Sequence, residues 1–355
     1  MKALFKRRIK KALSSIKKKD LDSLLISSPA NIFYLTGLKI EGYLLLALDK
    51  PIVFTDFRYL LQAQEKVKDL GIELAIYEYN IFEFIAKKIK KHSLKKVGFE
   101  SEKIPYKEFE EFKKNLQKTA ELIPTFQLIE KQRAIKETLE ISFIKEAIKT
   151  TQETFKYLED IIYEGLTEKF IAIEAERFMK LKSDNELAFS PIVASGKSSS
   201  WPHYRPRERK IKKNQPLLID LGSKYQGYCS DLTRMFFLSK MPHYLKKIVD
   251  IIKKAKELGI KASREGVKIK DVDKEARGYI EKKGFGKFFK HSLGHGVGLE
   301  VHEFPGINPK TEEILQEGMV ITIEPAIYLP NKFGVREESM ILIKAKKAEV
   351  LDGYS

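Results

Sequence analysis

Hydrophobic positions in the first third of the chain follow two different periods. Phe5, Ile9, Ala12 or Leu13, and Ile16 recur at helical spacing, which predicts an amphipathic first helix. Aliphatic runs follow at 21–28 (LDSLLISS), 43–49 (YLLLALD) and 51–56 (PIVFTD), and their length and composition predict strands. The segments 59–70 (YLLQAQEKVKDL) and 84–92 (FIAKKIKKH) return to a helical pattern. An α/β domain with its own core is therefore expected over residues 1–125, with Pro124 marking its end.

Residues 126–355 form the second expected domain. Its charged opening, 131–162, reads as long helical sequence, with Ile141, Ile144, Ile148 and Phe155 as a core-facing stripe. Another helix is predicted over 165–182, capped by Thr167. Residues 215–238 read as a hairpin about Gly227 in YQGY. Helical stretches at 241–262 and 268–284 separate that hairpin from a glycine-rich segment, HSLGHGVGLEVHE (291–303). Strand-like sequence returns in MVITIEPAIYLPNKFGVREESMILI (319–343). The expected whole is an α/β N-terminal domain followed by an α+β domain with an antiparallel sheet.

Composition changes this picture little. At 355 residues the chain has room for two domains. No apolar run approaches a membrane span, so no membrane partner is expected. The start, MKALFKRRIKKALSSIKKKD, lacks the continuous apolar core of a secretory signal. One cysteine, Cys229, excludes an intrachain disulfide and fits a reducing cytoplasm. The net charge of +17 comes from lysines spread throughout the chain, with local basic clusters at 6–11, 87–96 and 205–213. Such runs suit anionic surfaces, but no stacking platform accompanies them. GKSS at 196–199 is not a P-loop, because Pro191 stands where its first glycine belongs. Solvated faces of a lysine-rich chain are the simpler reading, and no specific nucleic acid is expected.

Chemistry concentrates in five residues: Asp220, Asp231, His295, Glu324 and Glu338. The four acids interrupt apolar strand sequence, where unpaired carboxylates are costly. Four acids and an imidazole in one core call for positive charge between them. Hard oxygen donors with one nitrogen suit divalent Mn, Co, Zn or Fe, and this many carboxylates suit two ions. Hairpin geometry agrees. With Tyr225 and Gln226 as the turn, Asp220 lies opposite Asp231; with Gln226 and Gly227, the two are diagonal. Either register keeps them on one face. The even separation of Glu324 and Glu338 across PNKFG allows the same, while Glu337 falls on the other face.

The stretches IVASGKSSSWPH (192–203), IDLGSKYQGYCSDLTR (219–234), HSLGHGVGLEVHE (291–303) and TIEPAIYLPNKFGVREE (322–338) carry a resemblance. They resemble the metallopeptidase family of Xaa-Pro aminopeptidases, prolidases and methionine aminopeptidases, which share the pita-bread fold. Upstream, SSPANIFYLTGL (27–38) and FTDFRYLLQA (54–63) resemble the extra N-terminal domain of its proline-directed branch. That extra domain argues against a methionine aminopeptidase. Retention of all five ligands argues against a catalytically silent binding protein and against metal-free, creatinase-like hydrolysis.

The resemblance implies two divalent ions, with Mn the first choice and Co, Zn or Fe able to use the same ligands. It makes Asp231 and Glu338 bridging ligands, gives Asp220 to one ion, and gives His295 and Glu324 to the other. Glu324 doubles as the acid/base. His302 would donate to the substrate carbonyl or the oxyanion, and His203 would close over the substrate from a loop. Arg336 and Tyr328 would support Asp220 from behind; His291 would either line the pocket or pack.

The implied activity is that of an Xaa-Pro aminopeptidase acting on peptide substrates, with Xaa-Pro dipeptidase (prolidase) as the alternative; a homodimer is expected. Arg205 and Arg207 are the candidate partners for a substrate C-terminal carboxylate. Departures from the family pattern stand at Trp201, Ala326, Lys332-Phe333 and Ser339; Trp201 and Phe333 are expected to reshape the entrance.

Overall fold

In the computed structural model, which describes residues 2–182 and 186–353, the chain divides into two compact units, Met1–Arg133 and Ala134–Ser355. The first contains α1 (Lys2–Lys18), β1 (Ser23–Ile26), α2 (Pro29–Thr36), β2 (Tyr43–Ala47), β3 (Ile52–Thr55), α3 (Leu60–Leu70), β4 (Glu73–Ile76), α4 (Ile81–Lys91), β5 (Lys96–Glu100), α5 (Tyr106–Leu116), β6 (Glu121–Thr125) and α6 (Leu128–Ala134). Its six-stranded sheet has the order β4-β3-β2-β1-β5-β6. Strand β1 is antiparallel to β2 and parallel to β5, and is buried along its whole length. A strand covered on both faces reads as a continuous apolar run, as 21–28 did. Helix α1 buries Phe5, Ile9, Ala12 and Ile16, the expected stripe. Arg8 joins that face, donating from Nη1 to the Tyr34 carbonyl at 2.9 Å.

The first unit ends past the 125/126 boundary suggested by Pro124, because α6 is tied into it. Gln132 Nε2 donates to the Arg8 carbonyl at 3.0 Å, and Arg133 Nη1 donates to Asn31 Oδ1 at 2.8 Å. The long helical stretch expected over 131–162 is also broken. Ile135 pairs in β-bridge fashion with Met319, and the Lys136 N–H donates to the Gly318 carbonyl at 2.9 Å. The chain restarts as α7 (Thr138–Ile161) through a capping box between Glu137 and Glu140.

The second unit continues with α8 (Glu168–Leu181), β7 (Glu186–Leu187), β8 (Ile192–Ser195), β9 (Leu217–Leu221), β10 (Ser223–Tyr225), β11 (Tyr228–Cys229), β12 (Leu232–Phe236), α9 (His243–Ala262), α10 (Ile269–Lys282), β13 (Gly294–Gly296), β14 (Glu303–Ile307), β15 (Val320–Ile323), β16 (Ala326–Leu329), β17 (Phe333–Arg336), β18 (Ser339–Leu342) and β19 (Glu349–Val350). Thr167 caps α8 as expected, accepting from the Phe170 N–H at 3.1 Å. Two sheets dominate the unit, β12-β9-β8 and β14-β13-β15-β18-β19, and their pairings are antiparallel. Helices α9 and α10 supply Ile248, Ile252, Val272 and Ala276 to a core shared with Ile321, Ile323 and Ile341. Among the described residues no helix is long and apolar enough to cross a membrane.

Register places the acids. Tyr225 pairs with Tyr228, leaving Gln226 and Gly227 as the turn. Both have positive φ, 50° and 86°, as the favoured two-residue hairpin turn requires. The same register runs on to Leu221↔Leu232 and Asp220↔Thr233, so Asp231 lies diagonal to Asp220. In the second hairpin, Ile323↔Ser339 and Ala326↔Arg336 belong to one register on either side of a gap. Glu324 and Glu338 sit opposite one another in that gap.

Candidate metal centre

Asp220, Asp231, His295, Glu324 and Glu338 line one cavity of about 1050 Å³, together with His203, His291, His302 and Arg336. Tyr328 stands behind the wall, its hydroxyl accepting from Arg336 Nη1 at 2.7 Å. Potential ligand atoms fall into three overlapping groups: Asp220, Asp231 and Glu338; His295, Glu324 and Glu338; and Asp231, His295 and His302. Within each group they lie within 4.8 Å of one another. Glu338 links the first two groups, Asp231 the first and third, and His295 the second and third.

Three of the five donors, His295, Asp220 and Glu338, are aimed by hydrogen bonds to their neighbours. The His295 N–H donates to Thr322 Oγ1 at 3.1 Å, and His295 Nδ1 lies 3.2 Å from the Gly296 carbonyl. A proton assigned to Nδ1 leaves Nε2 bare, facing Asp231 Oδ2 at 3.5 Å and Glu324 Oε1 at 3.4 Å. Burial pushes this imidazole down to about 3, so it is neutral near pH 7. Gly294 lets β13 approach closely; a Cβ there would lie 2.0 Å from the Thr322 carbonyl oxygen. Arg336 Nη2 donates to Asp220 Oδ2 at 2.5 Å, and Nε donates to Thr233 Oγ1 at 2.9 Å. Thr233 in turn donates to Glu338 Oε2 at 2.8 Å. Asp220 Oδ1 is buried with no hydrogen-bond partner.

Electrostatics describe a site short of positive charge. Burial, then the charge of Glu338, holds Asp231 and Glu324 well above the usual carboxyl range. Glu338 is pushed up to about 7 by burial and by Asp220. Asp220 is raised by burial despite the Arg336 guanidinium beside it. A bare imidazole nitrogen facing two carboxylates, an unused Asp220 oxygen and mutually repelling acids form a donor set suited to divalent cations. Glu337 turns away, as expected, to lie 3.8 Å from Lys256.

His302 is exposed, with its ring centroid 4.1 Å from that of His295. His203 is exposed on the segment following β8. His291 both lines the cavity and packs, its ring 5.0 Å from Phe289 and 5.7 Å from Tyr328. Its Nδ1 lies 2.7 Å from the Ser292 carbonyl, its Nε2 has no hydrogen-bond partner, and burial pushes it down to about 4. Phe333 departs from expectation: it is buried against Tyr244 at 5.7 Å and does not line the cavity. Trp201, 55% exposed beside Tyr204, does not line the cavity either.

The family model of metallopeptidase family M24 matches residues 142–345, which span every one of these donors. The chain belongs to metallopeptidase family M24. The first unit matches "Creatinase/Prolidase N-terminal domain" over residues 8–135. An Xaa-Pro dipeptidase of Pyrococcus horikoshii is 34% identical over 343 residues, covering 95% of this chain and 94% of the relative. The solved structure of an Xaa-Pro dipeptidase from Bacillus anthracis superposes with a TM-score of 0.93 at 32% identity, covering 98% of each chain. That of an X-Pro aminopeptidase from Thermotoga maritima does so at 0.86 and 31% identity, covering 96% of this chain and 98% of that one. The M24 fold and metallopeptidase class expected from the motifs are thus borne out.

Several contributors to this M24 site escaped sequence reasoning. Thr233 links Arg336 to Glu338; its position two residues after Asp231, on the same strand face, was the available signal. Lys136 Nζ lies 2.8 Å from Glu303 Oε1, with both side chains almost fully buried, which pins the residue next to His302. Glu168 gave no sequence signal because its partners, Ser195, Tyr204 and Arg207, are distant in the chain.

Proposed function

We propose that this M24 peptidase hydrolyses the bond between an N-terminal residue and a following proline, using Asp220, Asp231, His295, Glu324 and Glu338 to hold two divalent ions. The observation that carries the reading is that Asp231 and Glu338 are the two carboxylates belonging to two donor groups each; the paired oxygens of a carboxylate suit a shared role, whereas His295, which also belongs to two groups, has one bare nitrogen to offer. Manganese is the preferred ion, because four carboxylates outnumber one imidazole. The chemistry such ions supply is acidification of a water and polarisation of a carbonyl.

The remaining work falls to side chains. Glu324, whose carboxyl holds a proton more tightly than usual, takes one from the attacking water and passes it to the proline nitrogen as the C–N bond breaks. His302 and His203 donate to the scissile carbonyl oxygen as it gains charge. Arg336 holds Asp220 with one oxygen free. Tyr328 and His291 brace that arrangement.

Aminopeptidase action is the first reading of substrate length. The cavity, about 1050 Å³, reaches the top of the roughly 300–1,000 Å³ typical of small-ligand sites, so it has room beyond a dipeptide. Dipeptidase action has its own support. Arg205 lines the cavity and has no ion-pair partner among the described residues, and two of the relatives above are named Xaa-Pro dipeptidases. Mn-reconstituted protein should be offered an Xaa-Pro dipeptide, the tripeptide and its C-terminal amide. Cleavage of all three supports the aminopeptidase; cleavage of the dipeptide alone supports the dipeptidase. Equal cleavage of Met-Ala and Met-Pro peptides would remove the proline preference.

A further inference from the structure

The segment that carries His203 and Arg205 lacks regular structure, yet it is held along the start of α8. The Glu168 N–H donates to the Arg209 carbonyl at 2.9 Å, and the Lys169 N–H to the Arg207 carbonyl at 3.0 Å. Thr167 forms a β-bridge with Lys210. At the centre of this seam lies Glu168, which is 0% exposed. One carboxylate oxygen, Oε1, accepts from the Ser195 N–H at 2.8 Å and the Ser195 hydroxyl at 2.7 Å. The other, Oε2, accepts from the Tyr204 hydroxyl at 2.8 Å and the Arg207 N–H at 3.4 Å. A carboxylate withdrawn from water needs such donors, and here they come from both ends of the segment. Tyr204 is drawn inward to Glu168, so its neighbours His203 and Arg205 remain exposed, and both line the cavity. The Arg207 guanidinium packs 5.8 Å from the Trp201 ring and 5.7 Å from the Tyr204 ring.

We propose that Glu168 is a positioning residue: its buried carboxylate sets the conformation of residues 201–207 and so presents His203 and Arg205 to the substrate. The proposal rests on the reading of His203 as a substrate-facing group, but not on which peptides are cleaved. All four contacts are hydrogen bonds to the carboxylate oxygens, and the two from backbone N–H groups, of Ser195 and Arg207, are fixed in direction. A glutamine keeps the shape, but its amide NH2 cannot accept from Tyr204 or Arg207 while its oxygen serves Ser195.

The test uses full-length, Mn-loaded protein with Glu168→Gln, compared in the parent and in a His203→Ala/Arg205→Ala background. In the parent, kcat/KM for an Xaa-Pro peptide should fall about tenfold to a hundredfold with metal content unchanged. In the double-variant background, Glu168→Gln should change it by less than about twofold, the non-additivity expected of a residue acting through another. Trp201 is the only tryptophan in the chain and reports on the segment without any activity. Its acrylamide quenching should rise and its anisotropy fall in Glu168→Gln. Should that variant not fold, Tyr204→Phe removes one of the four contacts and should move the same signals less.

Metal loss, full additivity or an unchanged Trp201 signal would overturn the positioning role. Failure of the wild type to cleave any Xaa-Pro peptide would instead sink the functional reading, and the Trp201 signal would still decide this one.

Discussion

Arg336 and Asp220 form a buried pair, Nη2 2.5 Å from Oδ2, with side chains 5% and 9% exposed. The guanidinium also reaches Thr233 Oγ1, the Tyr328 hydroxyl and the Pro202 carbonyl. It thus orients Asp220 while leaving its other oxygen for the cavity. A lysine keeps the charge but not this fan of donors. Arg336→Lys should therefore weaken metal affinity about tenfold to a hundredfold, read by calorimetric Mn titration; unchanged affinity would remove Arg336 from the ligand-supporting role.

Asp231 belongs to two of the donor groups and Asp220 to one. Asp231→Ala should accordingly depress both metal content and turnover more than Asp220→Ala. Elemental analysis beside kinetics on dialysed protein checks this, and the reverse order would exchange the two assignments.

Chelation should abolish hydrolysis and added Mn should restore it. His295→Ala should lose part of the metal, whereas His302→Ala and His203→Ala should keep the parent's content and lose about a hundredfold or more in rate, as removal of an oxyanion donor does. A metal-deficient His302→Ala would make that histidine a ligand.

Metal binding should depend on pH through Glu338. Its folded value, about 7, lies above the ordinary 4.5, so the folded, metal-free protein binds this proton more tightly than the unfolded chain. Stability from this group therefore falls as pH rises from 4.5 through about 7, and Asp231 and Glu324 share the sign. His295 and His291, pushed down to about 3 and about 4, act oppositely: stability is lost as pH falls below their ordinary 6.5. Ions displace the carboxyl protons. The gap in unfolding temperature between Mn-loaded and stripped protein should widen between about pH 6 and about pH 8, with fewer protons released on binding at the upper end. A gap that narrows would contradict the raised carboxyl values.

Gly294→Ala tests the seating of β13. Its Cβ would press on the Thr322 backbone, and overpacking of this kind costs roughly 1–3 kcal/mol. Denaturant unfolding should show that loss together with lower metal affinity, because His295 is the next residue. Full stability would mean that β13 is free to shift.

Much of this protein was legible along the chain. Local rules sufficed wherever the cause was local. The stripe from Phe5 to Ile16 gave α1, Thr167 gave the start of α8, and Gly227 gave the turn. Alternation and motif spacing placed Asp220, Asp231, Glu324 and Glu338 on shared faces, and the resemblance singled out His295. Tertiary structure decided what depended on partners far away in sequence. It chose the diagonal register of Asp220 and Asp231, because Gln226 and Gly227 take the positive φ angles of the turn. It split 131–162 into two helices, because Ile135 is drawn to Met319. It sent Phe333 into the core against Tyr244. It also brought Thr233, Glu303 and Glu168 to the site through donors or acceptors 27 to 167 residues away. Hydrophobic period and turn chemistry are properties of neighbouring residues, whereas satisfying a buried carboxylate depends on whatever the folded chain brings within about 3 Å.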